Sequence, residues 1–170
     1  MNILIDIEAN GFKPTKIFCI VCLDVDTGEL KTFEVDNIEE GVKFIQSSSK
    51  LIGHNIIGYD IPAIENIYKI DLSHLKIVDT LVLSRLFNPT REGGHGLENW
   101  GHTLNFSKGN YGNKEDAWDF YTKEMLEYCI QDVLLNKKVY DHLKIESRGF
   151  SPSSVKLEHS VAKIINTQRQ

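Results

Sequence analysis

The chain contains 170 residues with a formal net charge of −5, and 41% of its residues are hydrophobic. This length predicts one domain with a sizeable core, and no apolar run reaches the roughly eighteen residues that a membrane span needs. The negative charge argues against tight, non-specific binding of duplex DNA through a broad basic face. It leaves a nucleic-acid partner open, because metal ions bound by carboxylates reverse the local charge.

The N-terminus and the cysteines both predict a cytosolic protein. Asp6 and Glu8 interrupt the apolar N-terminal residues, so the layout of a signal peptide is absent. Cys19, Cys22 and Cys129 agree with a reducing compartment. Cys19 and Cys22 form a CxxC string inside a predicted strand, where residues three apart face opposite sides. We therefore interpret them as packed core thiols rather than as a metal or disulfide site.

The first motif lies near the N-terminus, where the run from Ile3 to Glu8 breaks at Asn10-Gly11. This pattern predicts a short strand, buried on at least one face, that ends in a turn. Residues two apart on a strand point the same way, so Asp6 and Glu8 project together. Two adjacent carboxylates repel each other unless protons or cations neutralise them, and a hard cation such as Mg²⁺ or Mn²⁺ takes oxygen ligands. The alternative is a strand whose acidic face is exposed to solvent and binds no metal.

Apolar runs separated by turns predict that the first strand continues into an antiparallel meander. The second strand is expected at 16–23 and the third at 29–35, followed by a helix over 38–46 that Asn37 caps. A fourth, buried strand is expected at 50–54. With the helices that follow, this order predicts an α/β domain whose mixed sheet is covered by helices.

The second motif, His54 to Asp60, lies where the fourth strand ends and a helix begins. Sites in open α/β sheets commonly lie at such strand ends. The alternative for Asp60 is a helix-capping role, and for His54 and Asn55 it is hydrogen bonding to backbone groups. From Gly58 onwards the apolar spacing predicts a helix, in which Pro62 suits an early position.

A short strand at 77–78 and a helix over 80–87 are predicted next, with Asp79 as the helix cap. Residues 88–94 form a loop rich in turn formers, in which we expect Arg91 to be exposed.

A short helix over 96–104 precedes the segment 105–113, whose Ser, Lys, Asn, Gly and Tyr residues predict a mobile loop. We interpret Lys108, Tyr111 and Lys114 as part of a solvated loop. A groove for single-stranded DNA is the alternative.

The third motif lies on a long helix predicted over 114–144, with a break near Thr122. Tyr128 and Asp132 are four residues apart on it and therefore share a face, which apolar neighbours direct towards the sheet. A carboxylate that points into a protein interior needs a partner. The alternative to a catalytic role is a hydrogen-bonded structural pair. Trp118 is interpreted as a core or half-buried packing residue.

Together the three motifs resemble the exonuclease motifs of the DEDD, or DnaQ-like, 3′–5′ exonucleases. All four acidic residues of that family are present in order, and the third motif has the tyrosine of the DEDDy form. The sister form has His at the position of Glu127. The matching motifs are Asp6-x-Glu8, Asn55-x-x-x-Tyr59-Asp60 and Tyr128-x-x-x-Asp132.

Residues 78–86 and 95–101 sharpen this resemblance, because they are similar to the N-terminal proofreading domain of family A DNA polymerases from short-tailed bacteriophages. The likeness covers nearly the whole chain. Those enzymes continue into a polymerase domain, whereas this sequence stops at Gln170, so we expect a stand-alone exonuclease of polymerase descent or an excised domain, without polymerase activity.

The resemblance implies a ribonuclease H-like fold, with a five-stranded mixed sheet flanked by helices. It also implies hydrolysis of terminal phosphodiesters in single-stranded or frayed DNA with two divalent metal ions, Mg²⁺ or Mn²⁺. In the family pattern Asp6 bridges both ions, Glu8 and Asp132 complete the first site, and Asp60 holds the second, largely through water. Tyr128 would orient the attacking water, because a phenol with a pKa near 10 is a poor base at neutral pH.

Substrate contacts are also implied. The family contacts the terminal nucleotide directly after the first motif, with backbone groups and an apolar wedge, which points to Ala9, Asn10 and Phe12. Stacking of Phe12 on a base would contribute about 1–3 kcal/mol, and packing of Phe12 under the turn is the alternative. Asn55 and Tyr59 are further candidate contacts to the substrate strand.

The expected organisation is an exonuclease domain over 1–146 and a C-terminal hinge and helix over 147–170, which packs on that domain or on a partner. Expected partners are 3′ ends of single-stranded DNA and a DNA polymerase or other replication protein, in the host cytoplasm if the protein is phage-encoded. An RNase D-like 3′–5′ exoribonuclease is the nearest rival. The other is a catalytically silent polymerase-docking module, against which the costly cluster of carboxylates argues.

Overall fold

One mixed sheet of five strands organises the structure, a computed structural model that describes residues 1–169. The strands are β1 (Asn2–Ala9), β2 (Ile17–Asp24), β3 (Leu30–Phe33), β4 (Lys50–Gly53) and β5 (Lys76–Asp79). Their spatial order is β3-β2-β1-β4-β5, in which β2 pairs antiparallel with β1 and β3, and β4 pairs parallel with β1 and β5. The predicted meander and the mixed five-stranded sheet are confirmed.

Six α-helices accompany the sheet within the described residues. They are α1 (Ile38–Gln46), α2 (Asp60–Tyr68), α3 (Thr80–Phe87), α4 (Leu97–Thr103), α5 (Lys123–Glu146) and α6 (Pro152–Arg169). Short 3-10 turns precede α1 and α5, at Val35–Asn37 and Tyr111–Asn113. None of the helices described over residues 1–169 is both long and apolar enough to cross a bilayer.

Alternation along β1 divides the core into two layers. Ile5 and Ile7 pack with α1 and α2 on one face of the sheet. Leu4 packs with Met125 and Cys129 of α5 on the opposite face. Because side chains two apart share a face, the acidic residues of β1 lie on the side of the sheet that α5 covers.

The cysteines follow the same division. Cys22 lies in the layer beneath α1 and α2, whereas Cys19 and Cys129 lie in the layer beneath α5. All three are buried free thiols. The prediction that Cys19 and Cys22 point to opposite sides of a strand and do not share a site is confirmed.

The predicted long helix is wrong over its first nine residues, because α5 begins at Lys123 rather than at residue 114. The Thr122 hydroxyl caps α5 by accepting a hydrogen bond from the Met125 N–H (3.1 Å). Upstream, the Tyr111 hydroxyl donates to the Ala117 carbonyl (2.7 Å). A continuous helix would use that carbonyl as the acceptor of a backbone hydrogen bond. Residues 114–122 therefore form turns, although their apolar spacing resembles that of a helix.

Arg91 corrects a second expectation, because its side chain is only 10% exposed. Its guanidinium contacts the carboxylate of Glu146 on α5 at 3.0 Å and stacks 4.3 Å from the Trp100 ring centroid. The partner carboxylate is 55 residues away in the sequence, so turn composition alone does not reveal the ion pair.

Helix α6 begins at Pro152, within the predicted C-terminal hinge and helix, and packs on α3 and β5. Its buried His159 accepts a hydrogen bond at Nε2 from the Asp79 N–H (2.9 Å) and donates from Nδ1 to the Val155 carbonyl (2.8 Å). The C-terminal helix is therefore attached to the end of β5. The last residue of the predicted C-terminal segment, Gln170, lies outside the described residues.

Candidate active site

The site is built at the carboxyl ends of the parallel strands, starting from β1. Asp6 and Glu8 project from β1 towards α5, and Glu8 is buried. Strand β1 lies in the middle of the sheet with a hydrogen-bonded partner on each side, so its backbone holds the two carboxylates rigidly. Sheet register, rather than loop conformation, sets their positions.

Asp60 joins this pair from the first turn of α2. Its Oδ2 accepts a hydrogen bond from the Ile7 N–H (3.2 Å), between the two acidic residues of β1. The N-cap residue of α2 is Tyr59, and no side-chain capping bond is present there. The Asp60 carboxylate is therefore hydrogen-bonded to β1 and does not cap α2.

Helix α5 supplies the remaining two predicted residues, Tyr128 and Asp132. Asp132 is 6% exposed, and its Oδ1 is a buried oxygen without a hydrogen-bond partner among the described residues. Its Oδ2 lies 3.3 Å from the Lys108 ammonium, which also donates a hydrogen bond to the Tyr128 hydroxyl. Tyr128 and Asp132 thus both contact the Lys108 ammonium.

Cys129 is the member of the cluster that sequence patterns did not predict. Its Sγ lies 3.5 Å from both the carbonyl oxygen and Oδ2 of Asp6. Ligand atoms of Asp6, Glu8 and Cys129 all lie within 4.8 Å of one another. Burial raises the pKa of the Cys129 thiol well above its usual value, so the thiol stays protonated and donates to the Asp6 carboxylate.

Burial raises the pKa of every carboxyl in the cluster, and repulsion from the other cluster carboxylates adds to this shift for Asp6 and Glu8. Burial, then the charges of Glu8, Asp60 and Asp132, raises the pKa of Asp6, and burial followed by the charge of Asp132 raises the pKa of Glu8. Burial raises the pKa of Asp60 to about 8, against the hydrogen bond from Ile7. Burial also raises the pKa of Asp132 to about 6, while Lys108 acts in the opposite direction. Four carboxyl groups thus face a single ammonium, that of Lys108, so negative charge is in excess in the cluster.

These donors fit hard divalent cations such as Mg²⁺ or Mn²⁺. Four converging carboxylates offer only oxygen ligands, which these ions prefer, and the unpartnered oxygen of Asp132 has a free lone pair. The protonated thiol of Cys129 is a poor ligand by comparison. The chemistry of the donor set therefore matches the cofactor that the sequence motifs predicted.

Asp79 organises the loop that leads to Asp60. Its carboxylate accepts hydrogen bonds from the backbone N–H groups of Asn55 (2.8 Å), Ile57 (3.1 Å) and Leu81 (2.9 Å). The last of these confirms Asp79 as the cap of α3. Asn55 adopts a left-handed backbone, with φ of 59°, which the contact with Asp79 helps to hold.

His54 has a structural environment. Its Nδ1 lies 2.9 Å from the hydroxyl of Thr80, which in turn donates to Asn136 (2.9 Å). Burial lowers the pKa of His54 to about 4, so its ring is neutral at physiological pH. A structural role is therefore favoured for His54, although the hydrogen-bond partner of its Nδ1 is the Thr80 hydroxyl and not a backbone group as the alternative expected.

A cleft of about 520 Å³ opens beside Glu8. Phe12 is fully exposed at its rim, so the alternative that it packs under the turn is wrong. The Tyr59 hydroxyl donates to the Gly11 carbonyl (2.6 Å) and holds the loop that presents Phe12. The lining residues are Glu8, Ala9, Gly11, Phe12, Asn55, Gly58, Tyr59 and Trp118.

Asn10 and Trp118 are two further residues beside the first motif. The Asn10 side chain closes the turn by accepting from the Thr15 N–H (2.9 Å) and donating to the Thr15 hydroxyl (2.8 Å), and Asn10 is not among the residues that line the cleft. Trp118 does line it, and its half-buried ring also packs against Tyr111 and Tyr128, so the expectation of a half-buried packing residue is confirmed.

The interpretation of residues 105–114 as a solvated loop is wrong for two of its three named residues. Tyr111 is buried, and its hydroxyl contacts Ala117 and Thr122. Lys108 reaches the carboxylate cluster. Lys114 is exposed and forms an ion pair with Glu124 on the surface.

Sequence comparisons connect the chain with phage DNA polymerases. It is 29% identical to the DNA-directed DNA polymerase of Enterobacteria phage T3, over 86% of this chain and 27% of the polymerase. The identity to the polymerase of Escherichia phage T7 is 28%, over 88% and 27% respectively. The chain thus spans about a quarter of the length of these relatives. No protein-family model matches the sequence.

Solved structures establish the fold. Brucella melitensis NrnC superposes with a TM-score of 0.65 at 17% identity, covering 98% of this chain and 82% of NrnC. Escherichia coli RNase D, an exoribonuclease involved in structured RNA processing, superposes with a TM-score of 0.69 at 16% identity, covering 97% and 44%. The predicted ribonuclease H-like fold is confirmed, as is the resemblance to phage polymerases.

Proposed function

We propose that this chain is a metal-dependent 3′–5′ exonuclease of the DnaQ-like type, in its tyrosine form, that removes nucleotides from single-stranded or frayed DNA ends. The observation that carries the proposal is the cluster of Asp6, Glu8, Asp60 and Asp132, of which the last three are buried, with an unpartnered carboxylate oxygen on Asp132, at the edge of an open cleft. Similarity to the T3 and T7 DNA polymerases supports DNA as the substrate.

The four carboxylates would hold two divalent cations. When bound, these ions supply activation of a water molecule and stabilisation of the leaving 3′ oxygen. The chain's own contribution is a rigid set of ligands, since β1 fixes Asp6 and Glu8 and the Ile7 N–H fixes Asp60. Ligands that are already in place need no reorganisation during the reaction.

Tyr128 orients the attacking water. Burial raises the pKa of Tyr128, and the hydrogen bond from Lys108 only partly opposes that shift, so the phenol is protonated at neutral pH. A protonated phenol both donates and accepts hydrogen bonds. Its role is therefore to position the water and not to remove the proton.

The cleft beside Glu8 receives the terminal nucleotide. Exposed Phe12 stacks on a base, and stacking tolerates every base because each has an aromatic face. Backbone groups of Ala9 and Asn10, together with Asn55 and Tyr59, contact the substrate strand. Trp118 adds a second aromatic wall to the cleft.

We assign this activity to residues 1–146, which include every residue named above for the reaction. Residues 147–170 form a hinge and helix that pack on this unit or on a polymerase partner. Packing of α6 on α3 and β5 supports the first arrangement.

The test is digestion of 5′-labelled DNA and RNA of one sequence in the presence of Mg²⁺, Mn²⁺ or a chelator, with Asp6→Ala as the control. We expect a ladder that shortens from the 3′ end of DNA, requires the metal and is absent with the variant. Shortening of RNA alone would reassign the substrate to the RNase D-like class. No shortening of either, by folded protein, would favour a docking module.

A further inference from the structure

The segment between α4 and the second 3-10 turn brings a lysine into the carboxylate cluster. The Lys108 ammonium donates to the Tyr128 hydroxyl, lies 3.3 Å from Asp132 Oδ2 and lies 4.4 Å from the centroid of the Tyr128 ring. A single cation thus contacts both functional residues of α5. No other ion pair to Asp6, Glu8, Asp60 or Asp132 is present within residues 1–169.

Neighbouring contacts fix the position of this lysine. The Gln131 side chain, on α5 between Tyr128 and Asp132, donates to the Ser107 carbonyl (2.6 Å). Gly109 has a φ of 88° and lies against the Tyr128 ring, where a Cβ would be 3.4 Å from the ring carbon Cδ2. Ser107 is thus hydrogen-bonded to α5 and Gly109 lies beside it, which distinguishes Lys108 from a mobile surface lysine.

We propose that Lys108 is a positioning residue for phosphodiester hydrolysis, acting through Tyr128, an inference that rests on the proposed exonuclease function. The ammonium uses one lone pair of the phenol oxygen and fixes the hydroxyl beside Asp132. The other lone pair and the phenol proton remain free for the attacking water. A water held by a prepositioned partner reacts faster than one that must first be ordered.

The same contact has a second consequence. The Lys108 ammonium and a divalent cation both interact with the Asp132 carboxylate, so their charges oppose each other at this site. Removing the ammonium is expected to strengthen metal binding while it weakens catalysis. Damage to the fold would weaken both, so the opposite signs identify a positioning role.

A double-mutant cycle with Lys108→Met and Tyr128→Phe tests the proposal in the full chain. We expect Lys108→Met to lower kcat about tenfold to a hundredfold and to leave KM for a DNA oligonucleotide nearly unchanged. In the Tyr128→Phe background the same substitution should change kcat less than about threefold, because the group through which it acts is missing. Lys108→Gln replaces the Met variant if the latter does not fold.

Calorimetric titration of Mn²⁺ without substrate supplies a readout that is independent of turnover. We expect severalfold tighter Mn²⁺ binding for Lys108→Met than for the wild type. The matched control is Lys137→Met. Lys137 lies on α5 and forms an ion pair with the Asp141 carboxylate (2.6 Å), away from the cluster. The control should match the wild type in kcat, KM and Mn²⁺ affinity.

The outcomes separate this inference from the function on which it rests. An active wild type whose kcat is unchanged by Lys108→Met, or equally reduced in both backgrounds, overturns the positioning role alone. Unchanged or weaker Mn²⁺ binding overturns the predicted competition at Asp132 and with it the inference. A folded wild type without metal-dependent hydrolysis of DNA or RNA overturns the proposed function and this inference together.

Discussion

Asp79, at the end of β5, and Asp132, on α5, are both buried aspartates, yet their surroundings differ. Asp79 is 1% exposed and accepts three hydrogen bonds from backbone N–H groups. Asp132 is 6% exposed, and one of its oxygens has no partner in the described residues. Burial of a carboxylate therefore does not identify a functional site; the unsatisfied oxygen does.

The difference extends to the neighbours of each residue. Asp79 accepts hydrogen bonds from N–H groups of the loop after β4 and of the first turn of α3 and so holds the chain in position, whereas Asp132 lies in the carboxylate cluster and contacts the Lys108 ammonium. A folded protein tolerates such a cluster when protons or cations neutralise it. The two regions thus lead to opposite predictions for stability and for activity.

The largest expected effect is on activity. Asp6→Ala should reduce metal-dependent hydrolysis by about a thousandfold or more, because it removes the central ligand of the cluster. Release of 3′ nucleotides from labelled DNA measures the change. The fold should be retained, since the substitution also removes repulsion, and wild-type rates in this variant would contradict the assigned site.

Substitutions of the two aspartates should have different effects on the free energy of unfolding. Asp79→Ala should lower the free energy of unfolding by about 2–4 kcal/mol, because it leaves buried N–H groups without acceptors. Asp132→Asn should leave it unchanged or raise it in metal-free buffer. Urea denaturation with chelator measures both, and equal losses would mean that the two carboxylates have the same role.

A smaller loss of rate is expected for the water-orienting residue. Tyr128→Phe keeps the ring and its packing but removes the hydroxyl, so kcat should fall about tenfold to a hundredfold. Single-turnover digestion measures this step. A loss as large as that of Asp6→Ala would show that the phenol is indispensable and would contradict a purely orienting role.

The raised pKa values predict an unusual dependence of stability on pH. Between pH 3.8 and about 8 the folded protein retains a proton on Asp60 that the unfolded chain has released. Folding stability of the metal-free protein should therefore fall as pH rises through this window. The thermal midpoint in chelator should be about 5 °C lower at pH 8 than at pH 5.5.

Two changes, addition of Mg²⁺ and removal of the Asp60 carboxyl, should each weaken this dependence of the thermal midpoint on pH. Mg²⁺ should raise the midpoint more at pH 8 than at pH 5.5, since ionised carboxylates bind it better. Asp60→Asn should flatten the dependence in chelator. A midpoint that rises steadily with pH would exclude the proposed repulsion.

The smallest predicted effect concerns the cleft. Phe12→Ala should lower kcat/KM on DNA about tenfold, through lost stacking on the terminal base, and should change stability by less than about 0.5 kcal/mol because the side chain is fully exposed. Phe120→Ala is the matched control, since Phe120 is also exposed but does not line the cleft. Equal effects of the two substitutions would remove Phe12 from the site.

Sequence periodicity predicted the elements that carry the carboxylates, because each lies on or beside a regular strand or helix. Two apolar strands in parallel register bring Asp6 and Asp60 together, and helical spacing brings Tyr128 to Asp132. The motif resemblance then supplied their roles. The arrangement of these residues was predictable because regular backbone geometry determines it.

Contacts made by irregular segments were not predictable in the same way. Lys108 and Trp118 reach the site from turns, where no periodicity indicates the direction of a side chain. The apolar spacing of residues 114–122 resembles that of a helix, but the Tyr111 hydroxyl supplies a competing contact to the Ala117 carbonyl. Arg91 is buried by a carboxylate far away in the sequence.

The most direct measurement of the central claim is anomalous diffraction from crystals soaked in Mn²⁺. The account predicts anomalous peaks at about 2.0–2.3 Å from the carboxylate oxygens of Asp6, Glu8 and Asp132, with a second site nearer Asp60. The same peaks should be absent from crystals of Asp6→Ala. No peak among these carboxylates in the wild type, with the cleft open to solvent and millimolar Mn²⁺, would contradict the account.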